Sequence, residues 1–226
     1  MRYPYLLFDA DNTLFNFDEA NAYAFKTVCD AFSLPYSQEL YACYKKHNRA
    51  AWDKFDRGLA TKEQIVIERY VNFLDEIGSS LDPIECNRVQ LEGLGNAVFL
   101  LPHALEVIET LFKTHRLFLV TNAVASVQKS RLAKSPLAPY IEQAFISETA
   151  GASKPSREYF EYVFAHIDGI TKDNCLVIGD SLATDMQGAN NFSLPCCWYN
   201  PKGARNDKGL RIDHEITDLR ELLEIV

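Results

Sequence analysis

Apolar residues change their spacing twice along the chain, and each change predicts a different kind of secondary structure. A continuous apolar run begins at Tyr5 and ends at Asp9, as in a strand that is buried on both faces of a parallel sheet. From Asn16 to about Asn96 the apolar residues recur every three or four positions, which is typical of amphipathic helices. We therefore expect one early strand followed by a long helical segment.

Beyond Phe99, short apolar runs alternate with amphipathic stretches. The runs predict strands at Leu117–Val120, Ala144–Ile146, Leu176–Ile178 and Cys196–Tyr199. The amphipathic stretches predict helices at Ala104–Leu111 with Pro102 in the first turn, at Val124–Lys134, at Tyr159–Ile167, after Ser181, and at Thr217–Val226. Strands that alternate with helices imply an open parallel sheet with right-handed crossovers.

The helical segment lies between the first strand and all the others, which predicts an insertion. We therefore expect an α/β fold with a Rossmann-like open parallel sheet core, formed by residues 1–15 and 97–226, and an inserted α-helical cap domain of residues 16–96. In open α/β sheets, ligands bind beyond the carboxyl ends of the strands. We expect the insertion to close over that edge, because it begins at the carboxyl end of the first strand.

Composition narrows the class of protein. The hydrophobic fraction of 47% and the aromatic fraction of 12% are typical of a globular protein. The net charge of -8 argues against polymeric nucleic acid as a partner but leaves small anionic substrates open. No apolar run reaches the roughly 18 residues of a membrane span. The six cysteines lack paired metal-ligand spacing and no signal peptide is apparent, so we expect reduced thiols and a cytoplasmic location.

Polar residues with catalytic potential follow the predicted strands. Two aspartates, Asp9 and Asp11, stand at the end of the first strand, and Thr121 with Asn122 follows the second. The other candidates are Lys154 beyond the third strand, and Asp180 and Asp185 beyond the fourth. Taken singly, each could be a turn residue, a helix cap or a surface charge. Together they predict an acidic cluster at one sheet edge, of the kind that binds Mg²⁺ along with a substrate phosphate.

The ordered set Asp9-x-Asp11-x-Thr13, Thr121, Lys154 and Gly179-Asp180-x-x-x-x-Asp185 resembles the four motifs of the haloacid dehalogenase superfamily. The resemblance covers the whole chain and includes a helical cap after the first motif. It implies that Asp9 is a nucleophile that forms an aspartyl-phosphate, and that Asp11 is the general acid and base. It also implies that Mg²⁺ is held by Asp9, Asp180 and the main-chain carbonyl of Asp11.

The resemblance implies supporting roles for the remaining residues. Thr121 and the backbone near Asn122 would bind phosphate oxygens, and Lys154 would offset the charge of the substrate. Asp185 would orient Lys154 or a metal-bound water. One departure is Ala123, which stands where the family commonly has glycine.

Within the superfamily, residues 8–18, 145–148 and 197–200 are similar to bacterial pyrimidine 5′-nucleotidases, which implies nucleoside 5′-monophosphates as substrates. Phosphoglycolate or sugar-phosphate hydrolysis, a phosphomutase, and a non-catalytic binding module stay open as alternatives. A dehalogenase is disfavoured, because halide leaves without a proton and needs no acid at Asp11. For substrate contact in and near the cap, the candidates are Asn16, Phe17 and Arg57.

Overall fold

The computed structural model describes residues 2–226, and its core is a sheet of parallel strands. The strands are β1 (Tyr5–Phe8), β2 (Arg116–Thr121), β3 (Gln143–Ile146), β4 (Cys175–Gly179), β5 (Cys196–Tyr199) and β6 (His214–Ile216). They form a 6-stranded sheet in the order β3-β2-β1-β4-β5-β6, and every neighbouring pair is parallel. The predicted α/β fold with an open parallel sheet is confirmed.

Strand β1 is central because it pairs with β2 on one side and with β4 on the other. The strand order reverses at β1 and β4, and the crevice at such a switch point is where open α/β sheets bind ligands. Alternate side chains of the strands enter two separate hydrophobic clusters, one on each face of the sheet. Cys196 belongs to one cluster and Cys197 to the other, as expected for neighbouring residues of a strand.

Helices connect the strands and fill the long insertion. They are α1 (Phe17–Ala31), α2 (Gln38–Asp56), α3 (Lys62–Glu76), α4 (Pro83–Asn96), α5 (Ala104–Leu111), α6 (Ala125–Lys134), α7 (Ser147–Ala150), α8 (Arg157–Ala165), α9 (Gln187–Phe192) and α10 (Leu222–Ile225). Single turns of 3-10 helix lie at Ala138–Tyr140 and Leu219–Glu221, and a π-helical turn lies at Leu182–Met186. Within the described residues, no helix is both long and apolar enough to span a membrane.

The chain divides into two compact units, one formed by the residues up to Phe17 together with Val98–Val226, and the other by Asp18–Ala97. The second unit has a core of its own that is rich in aromatic residues: Phe25, Tyr41, Tyr44, Tyr70 and Phe73. Arg69 is buried there and donates hydrogen bonds to the side-chain oxygens of Asn48 and Asn87, at 2.7 and 2.8 Å, so it links three helices. Unit 2 is thus held by its own packing and its own polar contacts.

The structure differs in detail from what the sequence predicted. Strand β6 was not predicted, because it is three residues long and buries only Ile216. The closing helix begins at Leu219 instead of Thr217, since the side chain of Asp218 caps it by accepting a hydrogen bond from the Arg220 amide. Pro102 lies outside helix α5, which begins at Ala104 after His103 in a left-handed conformation.

Candidate active site

Asp9 follows β1 directly and stands at the switch point of the sheet. Its amide donates a 2.8 Å hydrogen bond to the Ile178 carbonyl of β4, so the chain is still in sheet register at this residue. The carboxylate is buried, with Oδ2 accepting a hydrogen bond from Thr13 Oγ1 at 3.2 Å. The chain then turns sharply at Asn12, whose φ of 60° is a conformation that asparagine tolerates. This turn returns Thr13 to the carboxylate of Asp9.

Lys154 is the cation of the site and is almost completely buried. Its Nζ donates hydrogen bonds of 2.6 Å to Asp9 Oδ1, 2.6 Å to Asp185 Oδ1 and 2.7 Å to the Val120 carbonyl. These three acceptors use all three protons of an ammonium group. Burial alone would lower the pKa of Lys154, but the adjacent Asp185 and Asp9 carboxylates outweigh it and raise that pKa above its ordinary value. The side chain therefore carries its charge at any physiological pH.

Asn122 fixes the backbone that carries Lys154. Its Nδ2 donates to the Lys154 carbonyl and its Oδ1 accepts from the Lys154 amide, both at 2.9 Å. The Lys154-Pro155 peptide bond that follows is cis. The side chain of Asn122 is thus occupied in positioning Lys154. That the backbone near Asn122 binds phosphate stays a prediction.

Thr121, the other residue predicted to bind phosphate, is buried at the end of β2. Its Oγ1 accepts a hydrogen bond of 3.1 Å from the amide of Ala123. Helix α6 begins two residues further on, at Ala125. The hydroxyl therefore sits at the entrance to a helix, where exposed amide groups favour an anion.

Asp180 and Asp185 lie beyond β4 on either side of a tight turn. The Asp180 carbonyl accepts a 2.9 Å hydrogen bond from Trp198 Nε1, which ties this turn to β5. Asp185 is fully buried in the π-helical turn, and its Oδ2 accepts from the Ser181 amide at 3.1 Å. Because its other oxygen is bonded to Lys154, both oxygens of Asp185 have protein partners.

The carboxylates crowd one another. Ligand oxygens of Asp9, Asp180 and Asp185 all lie within 4.8 Å of each other. Burial raises the pKa of Asp9 to about 7, although Lys154 opposes the shift. Burial, followed by repulsion from Asp9 and Asp185, raises the pKa of Asp180 to about 8. Three carboxylates and one ammonium leave an excess of negative charge at this point.

The donor set fits a divalent cation. Mg²⁺ prefers carboxylate oxygens and is usually bound through one or two of them together with water and phosphate. A cation at this cluster would neutralise the charge that Lys154 leaves uncompensated. Both oxygens of Asp185 are engaged, by the Lys154 ammonium and the Ser181 amide. Asp9 has its Oδ1 on Lys154, but its Oδ2 carries only the longer, 3.2 Å bond from the Thr13 hydroxyl. Asp9 Oδ2 and the Asp180 carboxylate are therefore the better placed for a cation.

Asp11, the predicted acid and base, has a partner that the sequence did not reveal. Its Oδ1 accepts a hydrogen bond of 2.5 Å from Nη1 of Arg131, in helix α6. Arg131 has no exposed side-chain surface, whereas 25% of the Asp11 side chain is exposed. One signal was present in the sequence: Arg131 and Gln128 occupy the face of α6 that Val127 marks as buried. Nothing in the sequence links that face to Asp11.

The residues predicted to contact substrate are Asn16, Phe17 and Arg57. Asn16 and Phe17 are partly buried, and their amides donate to the Phe99 carbonyl and to Asn12 Oδ1. Arg57 is exposed at the end of helix α2, in unit 2. Their part in substrate recognition stays a prediction.

A second group of metal-type donors lies in unit 2, formed by Cys43, His47 and Glu76. Glu76 Oε2 accepts a 2.7 Å hydrogen bond from His47 and also forms an ion pair with Lys46. An ammonium on the same oxygen opposes the binding of a cation there. We therefore interpret this group as an ion-paired link between α2 and α3.

Comparison with known proteins gives consistent results. A family model described as haloacid dehalogenase-like hydrolase matches residues 6–199. The HAD-hydrolase YfnB of Bacillus subtilis is 34% identical over 100% of this chain and 96% of its own length. The pyrimidine 5′-nucleotidase PynA of Streptococcus pneumoniae is 31% identical over 99% of this chain and 95% of its own length.

Solved structures extend the comparison to the fold. A crystal structure of YfnB, described as bound to magnesium and as revealing interdomain movement, matches with a TM-score of 0.94 over 100% of this chain and 99% of that one, at 34% identity. A 2-haloacid dehalogenase from Pseudomonas syringae matches with a TM-score of 0.70 and 24% identity, over 99% of this chain and 97% of that one. The second likeness concerns the fold alone.

Proposed function

The chain belongs to the haloacid dehalogenase-like hydrolases, and from its site we propose that it hydrolyses small phosphate monoesters, with nucleoside 5′-monophosphates as the substrate class. The observation that carries the proposal is the contact of the buried Asp9 carboxylate with Lys154, together with an acid, Asp11, two residues further along. A nucleophile, a cation for the phosphate and a proton donor are the groups that this reaction requires.

The first step would form an aspartyl-phosphate. A carboxylate oxygen of Asp9 attacks phosphorus, and the bond between phosphorus and the ester oxygen breaks. The leaving oxygen takes a proton from the Asp11 carboxyl, so the alcohol departs neutral. This use of Asp11 favours phosphate esters over haloacids, because a halide needs no proton.

The second step would release inorganic phosphate. The Asp11 carboxylate takes a proton from water, whose oxygen attacks phosphorus, and the bond between phosphorus and Asp9 breaks. Asp9 returns as a carboxylate and Asp11 as an acid, so the cycle closes without any other reactant. Thr121 and the amides at the start of α6 would hold the phosphate oxygens throughout. Lys154, whose three protons are already donated, would offset the phosphate charge as a nearby cation.

We propose Mg²⁺ as the cofactor, held by Asp9, Asp180 and the main-chain carbonyl of Asp11. When bound, Mg²⁺ would supply positive charge that reduces the repulsion between the Asp9 carboxylate and the phosphate dianion. Lys154 adds a fixed positive charge beside the same carboxylate, and Asp185 keeps that ammonium in place. The description of YfnB as bound to magnesium supports this assignment.

The substrate class rests on similarity and on the cap. PynA is named a pyrimidine 5′-nucleotidase, and its similarity extends over nearly the whole of both chains. Selection among phosphate esters would fall to groups outside the chemical centre. We propose Asn16, Phe17 and Arg57 for this part, with residues 16–96 as the cap domain.

A phosphate-release screen tests the function. Nucleoside monophosphates, sugar phosphates and phosphoglycolate are incubated with the protein and Mg²⁺, and released phosphate is measured. We expect a bias towards nucleoside 5′-monophosphates, and loss of turnover for Asp9→Asn, which keeps the shape of the side chain but removes the nucleophilic carboxylate.

The outcomes separate the alternatives. Preference for sugar phosphates or phosphoglycolate would change the substrate class and leave the mechanism intact. Isomer interconversion without phosphate release would identify a phosphomutase, and inertness towards every ester would favour a binding module. Undiminished turnover by the Asp9→Asn variant would refute the mechanism.

A further inference from the structure

Arg131 is buried in a way that folding stability alone does not explain. Its side chain has no exposed surface, and its Nε and Nη2 groups lack hydrogen-bond partners among the described residues. An unpaired buried donor destabilises a fold, and a buried ion pair often contributes less to stability than an apolar residue of similar size. Such a local departure from good packing is expected at functional positions.

Two contacts immobilise the guanidinium group. The group lies over the ring of Phe15, with 4.6 Å between Cζ and the ring centroid. The ring itself is completely buried, four residues beyond Asp11. The Nη1 group of Arg131 donates a hydrogen bond to Asp11 Oδ1.

We propose that Arg131 is a positioning residue for the proton transfer by Asp11, an inference that rests on the proposed function. Asp11 lies on the turn after β1 and is partly exposed, so its carboxyl group could rotate. The bond from Arg131 holds Oδ1 in one place and leaves Oδ2 to exchange the proton with the leaving oxygen and then with water. Fixing a catalytic group in this way matters because a misplacement of about 1 Å can cost about 10²-fold in rate.

The proton is needed in proportion to the basicity of the leaving group. A nucleoside 5′-monophosphate releases an alcohol, whose alkoxide is strongly basic, so the breaking bond depends on Asp11. p-Nitrophenyl phosphate releases nitrophenolate, which is stable without a proton. A defect in positioning Asp11 must therefore slow the nucleotide much more than the aryl ester, whereas general damage to the fold slows both equally.

The test compares kcat/KM for these two esters, because kcat/KM reports the steps up to the release of the leaving group. For Arg131→Met we expect the nucleotide-to-aryl ratio of kcat/KM to fall by about 10-fold to 10²-fold. Arg131→Lys, which keeps the charge but not the planar group, should fall between wild type and Arg131→Met. In an Asp11→Asn background, Arg131→Met should leave the ratio unchanged, since the group it positions is absent.

Gln128→Met is the matched control. Gln128 is also completely buried on α6, one turn before Arg131, and its side-chain amide lacks a partner among the described residues. Gln128→Met perturbs the same buried helix face without removing a hydrogen bond to Asp11, so its nucleotide-to-aryl ratio should equal that of wild type. Thermal unfolding of each variant shows whether the fold is retained.

Two results would overturn the inference. One is an equal loss of kcat/KM on both esters for Arg131→Met and Arg131→Lys, and the other is an effect of Arg131→Met on the ratio that persists in the Asp11→Asn background. If the wild-type protein hydrolysed neither the nucleoside 5′-monophosphate nor p-nitrophenyl phosphate, the proposed function itself would be overturned. The two failures are thus distinguishable.

Discussion

Lys154 illustrates how strongly one residue can depend on its neighbours. It is completely buried, and two of its three acceptors are carboxylates, those of Asp9 and Asp185. Removing one partner of a buried ion pair leaves an uncompensated charge, which is far more costly than the loss of the pair as a whole. The residue therefore stabilises the site and serves its chemistry through the same contacts.

We expect Lys154→Met to lower the free energy of unfolding by about 3–5 kcal/mol at neutral pH, because two carboxylates then remain buried without their cation. The measurement is chemical denaturation of the metal-free protein. The double variant Lys154→Met/Asp185→Asn should lose less free energy of unfolding than the two single variants lose in sum, since Asp185→Asn removes one of the buried charges that Lys154→Met leaves without a partner. Strict additivity would contradict this account.

Most catalytic candidates could be predicted from the sequence because each stands next to a recognisable strand end. Asp9, Lys154 and Asp185 meet in the structure as expected from that placement. Arg131 could not be predicted, because its partner lies 120 residues away and the contact depends on how α6 lies against the turn that follows β1. A sequence pattern identifies a polar residue on a buried helical face but not the group that it meets.

At the scale of elements, the junction between β4 and the π-helical turn depends on Gly179. A Cβ atom at this position would lie 2.4 Å from Cγ of Asp185 and 2.6 Å from its Cβ, which no structure accommodates without movement. The absence of a side chain at Gly179 thus allows the turn to fold back and present Asp185 to Lys154. The strand end and the turn form one catalytic element.

Gly179→Ala should reduce kcat by about 10-fold to 10²-fold, although it changes no catalytic group, because Asp185 must move away from Lys154. Steady-state kinetics on the best ester of the screen measures the effect. Gly209→Ala is the control, since a Cβ there meets nothing within 4 Å and only the left-handed backbone is strained, at a φ of +62°. Equal kcat values for the two variants would contradict the proposed role of Gly179.

The predictions of elements succeeded where the apolar run was clear, even when it was short, and missed β6, in which only Ile216 is buried. Strand β5 was predicted with its observed ends, and helix α6 within one residue. The helix predicted after Ser181 proved to be a π-helical turn followed by α9, a distinction that depends on hydrogen bonds and not on periodicity. Strand β6 forms only because β5 offers it an edge to pair with.

At the scale of the molecule, the acidic cluster links stability to pH and to metal. The pKa values of Asp9 and Asp180 are raised from 3.8 to about 7 and about 8 in the fold. Between pH 3.8 and about 8, the folded, metal-free protein therefore binds more protons than the unfolded chain. Because of that difference, the free energy of unfolding falls as pH rises through this window. A bound cation would offset both the burial of these carboxylates and their mutual repulsion, which together cause the loss.

Millimolar Mg²⁺ should raise the melting temperature more at pH 8.5 than at pH 6, since protons compete with the cation at the lower pH. Thermal unfolding with Mg²⁺ or with a chelator at the two pH values measures the difference. Asp180→Asn, which lacks one of the charges, should lose most of the shift. A shift that is the same at both pH values would show that these carboxylates do not bind the cation.

The organisation of the whole chain followed from one contrast, between a helical spacing in the insertion and alternating elements elsewhere. Along the chain, the boundaries between the two compact units fall at residues 17–18 and 97–98, where the sequence had suggested 15–16 and 96–97. The direction and extent of any movement between the units do not follow from such a pattern, because it records which faces are apolar and not how two surfaces slide.

The place of β1 in the sheet has a consequence for synthesis on the ribosome. The insertion is complete when Ala97 has been made, and its aromatic core needs no later residue. Strand β1 is made earlier but has to wait for β2 and then β4 before it is flanked on both sides. We expect the insertion to gain protease resistance on the nascent chain first, while the strand that leads to Asp9 stays open until β4 emerges.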